Sequence, residues 1–304
     1  MKFEIQLYPY HRWSSIAEMG RITRAAEELG FATVLVPTHV HVPPHHAQLI
    51  GNEWPDQLVV ATHLATVTSL IRIQFAALVV PYLGPIQTAR ALASVDQLSG
   101  GRVGVTIGAG WMKEEFDALG VAFEQRGQIT DEYVNVMRGL WSGQEYSHSG
   151  RFVSVSPATL SPVCLQRPHV PIWVGGSGWA AKRRVAEYGA GWTPLHGSLT
   201  ELRVEIAEIR ELVAAKGRDP GSLGFGFHMA YGERDRQHDV AAAKASESGV
   251  GLWGRTSAEA VEVLKRSEEA GLTNMEVTSG WTTTSHLLEI LHQFHEEVMP
   301  SFRV

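Results

Sequence analysis

Short apolar runs separated by helix-forming stretches recur eight times along this chain, and that alternation limits the possible folds more than any other feature. The runs are Lys2–Tyr8, Phe31–Val36, Ile71–Val80, Arg102–Gly108, Pro171–Val174, Trp192–Leu195, Leu223–Ala230 and Asn274–Thr278. Helical patterns lie between them, as at Ser15–Leu29, where Ser15 and Glu18 have capping-box spacing and Gly30 is a stop signal. Thr256 and Glu259 repeat that spacing ahead of Ala258–Ala270. Strand and helix in strict alternation imply parallel strands joined by right-handed crossovers. Eight such units in 304 residues predict a single (β/α)8 TIM barrel spanning 1–304, with insertions in the loops at the C-terminal ends of the strands. No low-complexity linker divides the chain. An open doubly wound sheet is the alternative, but it calls for a glycine-rich turn after the first strand, where Pro9-Tyr10-His11-Arg12-Trp13 stands.

Composition narrows the function. Apolar residues make up 44% and charged residues 19%, as in a globular chain, and the net charge of −6 disfavours a nucleic-acid partner. The one cysteine, Cys164, excludes a disulfide framework and a cysteine-based zinc site. The first ten residues alternate like a strand instead of forming the apolar core of a signal peptide. No run reaches membrane-spanning length, so a cytoplasmic location without a membrane partner is expected.

A barrel of this kind builds its site from the loops that follow the strands. Those loops carry His11 and Trp13, His39 to His46, Pro81-Tyr82, Gly108 to Trp111, Gly175 to Gly178, His196 and Trp281. At Gly175-Gly176-Ser177-Gly178 a buried strand feeds a glycine turn and then a helix. Glycine lets the backbone approach a phosphate, the first amides of the helix point at the anion, and Ser177 adds a hydroxyl donor. The plain alternative is an ordinary strand-to-helix turn. It follows the fifth strand, whereas barrels more often hold phosphate after strands seven and eight.

These pieces, in their order and spacing, give the chain a resemblance to the bacterial-luciferase-like family of flavin and deazaflavin oxidoreductases. They are Val36-Pro37-Thr38-His39-Val40, Asp96-Gln97-Leu98-Ser99-Gly100-Gly101-Arg102-Val103, Gly108-Ala109-Gly110-Trp111 with Glu114-Glu115-Phe116, Gly127 with Asp131-Glu132, Pro171 to Ser177, and Gly189-Ala190-Gly191-Trp192. The resemblance implies a (β/α)8 barrel binding coenzyme F-420, or alternatively FMN, at its C-terminal mouth, with Gly175, Gly176, Ser177 and Gly178 at the cofactor phosphate. It also implies a bulged third strand with a non-proline cis peptide behind the ring, which falls at Ala76–Ala77. Gly108, Ala109 and Gly110 would border the ring or its side chain, and a homodimer is expected.

His39, at the end of the second strand, is the candidate catalytic acid or base, since histidine titrates near neutrality. It could instead only hydrogen-bond the ring. In the family this histidine usually follows Asp or Glu, but here Thr38 precedes it, which leaves the orientation of the imidazole without an obvious partner. Trp111 stands where the sugar-phosphate dehydrogenases of the family carry glutamate, which argues against a sugar-phosphate substrate. His11, Trp13, Trp111 and Trp281 are the expected lining of a small-molecule pocket. Trp173 and Trp192 are expected in the core, His228 as a barrel-lining residue, and Lys182, Arg183 and Arg184 as a solvated helix face.

His39, His41, His45 and His46 lie close together, but Pro43 and Pro44 break their register. No metal site is expected, and the segment reads as a lid. The leading function is therefore hydride transfer between a deazaflavin and a small organic substrate. The alternatives are an FMN-dependent monooxygenase served by a separate reductase, and a non-catalytic flavin-binding protein.

Overall fold

The computed structural model describes residues 1–232 and 253–302. Eight parallel strands close into a barrel. They are β1 (Lys2–Gln6), β2 (Thr33–Val36), β3 (Arg72–Val79), β4 (Val103–Gly108), β7 (Ile172–Gly175), β8 (Gly191–Thr193), β9 (Gly224–Tyr231) and β11 (Asn274–Thr278). Each pairs with the next in chain order, β8 pairs with β9 at Gly191↔Gly224, and β11 returns to β1 at Lys2↔Asn274. All eight apolar runs read from the sequence are barrel strands, and the phosphate turn does follow the fifth of them.

The sequence reading passed over two additions. A short β10 (Trp253–Gly254) pairs with β9. An antiparallel hairpin, β5 (Tyr146–Ser149) and β6 (Ser154–Ala158), precedes the fifth barrel strand. It lies in the connection from α6 (Arg126–Trp141) to β7, not in a loop that follows a barrel strand. Glu132 of α6 holds its turn by accepting the amides of Arg151, Phe152 and Val153.

The remaining helices are α1 (Ile16–Glu28), α2 (Pro44–Ile50), α3 (Gln57–Val67), α4 (Pro85–Ser99), α5 (Lys113–Leu119), α7 (Trp179–Tyr188), α8 (Leu199–Ala215), α9 (Ser257–Glu269) and α10 (Thr284–Glu297). Ser15 and Thr256 cap α1 and α9 as their spacing predicts, each accepting the amide three residues on. In both, however, the partner glutamate reaches the residue before the cap: Glu18 bonds Ser14 and Glu259 bonds Arg255. The complete reciprocal box is at Ser198 and Glu201 on α8. No helix among the described residues is long and apolar enough to cross a membrane.

Outward-facing strand residues such as Val34, Ile73, Phe75, Val105 and Ile172 are sealed between sheet and helices. The N-terminal end of the barrel is tied by Asp96 and Arg102. Fully buried Asp96 accepts the amides of Leu165 and Gln166 and the Gln166 side chain. Arg102 donates to the carbonyls of Ala65, Thr68, Ile71 and Ser99. These hold the entries to β3, β4 and β7 together, so this motif serves the scaffold and lies away from the mouth.

Asp96→Ala leaves the part-buried amides of Leu165 and Gln166 without their acceptor, while the Gln166 side chain keeps the Val103 carbonyl. Chemical denaturation is expected to show a loss of about 2–4 kcal/mol, since each orphaned buried donor costs on the order of 1–3 kcal/mol.

Candidate active site

A cavity of about 830 Å³ runs along the barrel interior. Its size suits a cofactor or a drug-sized ligand. Toward the floor its wall is polar, with Glu4, Gln74, Thr106 and Asn274; toward the mouth it is aromatic, with Trp13, Trp54 and Trp281. Glu4 accepts from the Asn274 amide at 2.7 Å, and burial pushes its carboxyl above the ordinary value against that hydrogen bond. Gln74 donates to the Thr106 hydroxyl at 2.9 Å. Side chains that point into a barrel need partners from neighbouring strands, and these pairs are adjacent in register (Gln74↔Gly104, Ala76↔Thr106).

The expected site residues divide into those on this cavity and those beside it. Trp13 and Trp281 line it, stacked edge to face at 5.1 Å, and the Trp13 indole donates to the Leu7 carbonyl. Ala76, Ala77 and Gly175 also line it. The Ala76–Ala77 peptide is cis, as the sequence resemblance implied, and the β3–β4 register shifts between Ala76 and Leu78. Gly108 faces this bulge, for a Cβ built on it would lie 3.4 Å from that of Ala77.

Other expected residues lie off the cavity wall. Gly110 is glycine for the protein's own packing: it has φ +86°, and a Cβ there would come within 2.7 Å of Phe116 and 2.8 Å of Val79. Trp111 is exposed, edge-on to His39 and His46. His11 is exposed on a short 3-10 turn after β1, one residue from Arg12, whose guanidinium donates to the Trp281 carbonyl. Trp173, expected in the core, lines the cavity instead, and His228 on β9 lines it as expected.

His39 has the partner that the sequence did not reveal. Its Nδ1 lies 3.1 Å from Oε2 of Glu115, a residue of α5 with 1% of its surface exposed. The same carboxylate accepts the Tyr82 hydroxyl at 2.7 Å and the amides of Val40 and His41 at 2.7 and 3.3 Å. Burial works to raise the Glu115 carboxyl, but the bonds from His39, Tyr82 and Val40 outweigh it and hold it below the ordinary value of 4.5. Tyr82 is pushed upward by its own burial and then by Glu115, so it stays a donor. A carboxylate accepts only, so His39 carries its proton on Nδ1 and leaves Nε2 for other chemistry. The ring stands edge-on to Trp54 of the cavity wall at 4.7 Å. Thr38 is thus replaced as orienting group by a residue 76 positions away. Glu115 lay within a quoted motif, but nothing in two adjacent glutamates told which one turns inward.

The phosphate turn fits its expected ligand. Ser177 Oγ is buried and has no hydrogen-bond partner. Gly176, at φ +105°, holds a backbone conformation that disfavours other residues. Trp192 is fully buried, and its indole donates to the Gly176 carbonyl at 2.7 Å, so this core tryptophan also fixes the turn. Gly178 caps α7, whose Ala181 and Lys182 amides turn back to the Gly178 carbonyl. The amides ahead of them have no partner within the helix and suit an anion. Lys182, Arg183 and Arg184 are not a solvated face. Lys182 pairs with Glu208 at 2.6 Å, and Arg183 and Arg184 both clasp Asp131, at 2.6 and 2.7 Å. Their charges tie α7 to α6 and α8.

The histidine run also behaves differently from the sequence expectation. His39 and His41 are drawn to Glu115, while Pro44 opens α2 and turns His45 and His46 toward Glu114. Among the described residues, His45, His46 and Glu114 form a cluster able to hold a metal ion.

The comparisons with known proteins agree with this architecture. Residues 2–249 match the family described as luciferase-like monooxygenase. An uncharacterized protein of Mycobacterium tuberculosis is 33% identical over 211 residues, covering 64% of this chain and 73% of the relative. The FMNH(2)-dependent dimethylsulfone monooxygenase of Pseudomonas putida is 30% identical over 194 residues, 62% of this chain and 52% of that one. Among solved structures, the coenzyme F420-dependent tetrahydromethanopterin reductase of Methanopyrus kandleri superposes with a TM-score of 0.78 at 17% identity, covering 99% of both chains. The chain belongs to the luciferase-like monooxygenase family.

Glu115 is held below 4.5, so its contribution to folding is complete above the unfolded carboxyl value and fades as pH falls through the lower folded one. The stability gap between the wild type and Glu115→Gln is therefore expected to be constant near neutral pH and to shrink below about pH 4. Urea titrations of both proteins across that range measure it.

Proposed function

We propose that this member of the luciferase-like family is a deazaflavin-dependent oxidoreductase, moving hydride between coenzyme F-420 and a small organic substrate. The observation that carries the reading is the His39–Glu115–Tyr82 network beside the aromatic mouth of the cavity. Hydride transfer to or from a polar carbon needs a matching proton, and a fixed imidazole supplies or takes it. When bound, the cofactor supplies the redox chemistry.

The chain's own residues do the rest. Gly176, Ser177 and the first turn of α7 would hold the cofactor phosphate, and the small Ala76 and Ala77 side chains leave room on the cavity wall for a flat ring. Glu115 fixes the His39 tautomer, so that Nε2 holds or releases the proton. Trp13, Trp54 and Trp281 exclude water and favour an apolar or aromatic substrate. The expected homodimer is part of the same reading.

A second reading is an FMN-dependent monooxygenase working with a separate reductase. It is favoured by the 30% identity to the dimethylsulfone monooxygenase. Adding each cofactor to the purified protein and following fluorescence separates the two. Saturable binding of coenzyme F-420 is expected. Tight binding of FMN with none of the deazaflavin would overturn the first reading in favour of the second.

Ser177→Ala is expected to weaken cofactor binding about ten- to a hundredfold, the value of one hydrogen bond to an anion. His39→Ala is expected to lower kcat about 10²- to 10⁴-fold with little change in cofactor affinity, as measured by steady-state turnover and the same fluorescence titration. Unchanged turnover would make His39 a binding residue only.

A further inference from the structure

We propose that His45, His46 and Glu114 form a zinc site that clamps α2 to α5 on the outer side of the mouth. His45 Nε2 lies 3.2 Å and His46 Nε2 3.9 Å from the same Glu114 oxygen, and all three ligand atoms fall within 4.8 Å of one another. Zinc bonds of about 2.0–2.1 Å in a tetrahedron place ligand atoms roughly 3.3 Å apart. One edge of the triangle already has that length, and the others close with rotation of the exposed His45 ring and the half-buried His46 ring. Two neutral imidazoles and one carboxylate are a borderline ligand set that suits zinc, with the fourth position left to water. The side chains are 64%, 23% and 41% exposed, so an ion and its water can enter.

The placement gives such an ion a structural consequence. Glu114 and Glu115 are neighbours on α5, the first part-exposed and the second buried. Glu115 secures residues 39–41 from inside, through His39 and the amides of Val40 and His41. Glu114 meets residues 45–46 of the same segment from outside. Zinc would turn this weak, exposed contact into coordination bonds across the two helices. His46 also stands edge-on to Trp111 at 5.2 Å, so the clamp holds the exposed tryptophan at the entrance. The site does not depend on which cofactor the barrel binds.

The test starts with the full-length protein freed of metal by a chelator, then titrated with zinc sulfate against a chromophoric competitor. One saturable equivalent per chain is expected. His45→Ala and Glu114→Ala should each weaken it by about tenfold or more, while His292→Ala, an exposed histidine on α10, leaves it unchanged. Hydrogen exchange across residues 41–50 should slow on adding zinc to the wild type and not to His45→Ala. Absence of saturable zinc, equal affinity in all four proteins, or zinc binding without any slowing of exchange would each overturn the proposal.

Discussion

The buried carboxylate of Glu115 is the interaction on which the mouth of the barrel depends. One side chain collects four donors: two amides from the segment after β2, the His39 ring from the same segment, and a hydroxyl from the turn after β3. A charge taken out of water is costly unless nearly all of its lone pairs are satisfied, and here they are. The exits of β2, β3 and β4 are therefore held to one point. Without it the segment from Thr38 to His41 would have no interior anchor, and His39 would have no defined tautomer. Aromatic rings complete the enclosure, with Trp54 on one side of the imidazole and Trp111 on the other.

The opposite end of the barrel shows the same economy, turned to stability. Asp96 and Arg102 gather backbone groups from the entries of β3, β4 and β7, and in the outer helix layer Asp131 of α6 takes two arginines from α7. Much of what makes the sequence look like its family lies in these scaffold residues. The glycine turn with Trp173, His39 and the Gly108–Glu115 segment lie at the cavity or beside its mouth. The same scaffold recurs in relatives named for reduced FMN and for coenzyme F420.

The strands were legible because periodicity and burial come from neighbouring residues. Each of the eight apolar runs coincides with a barrel strand, and glycine or proline bounds most of them. The hairpin at Tyr146–Ala158 was not legible. Its strands are short, largely exposed and polar, and their pairing depends on Glu132 gripping the turn from another element. The charges of Lys182, Arg183 and Arg184 misled for a related reason, since a basic run at a helix start looks solvated until the acidic residues of α6 and α8 are brought against it. The tryptophans split the same way: Trp192 was placed correctly in the core, whereas Trp173 faces the cavity.

By itself the sequence determined the eightfold strand–helix alternation, the glycine turn after the fifth strand, and the small residues at the bulge of β3. Each of these is a local matter of spacing, side-chain size or backbone freedom. Tertiary structure alone decided which of two adjacent glutamates is buried, what orients His39, and that His45 and His46 converge on Glu114. Those contacts join residues about 70 positions apart. They exist only because pairing of β2 and β4 on either side of β3 sets their ends at the same rim, a constraint that no local pattern encodes.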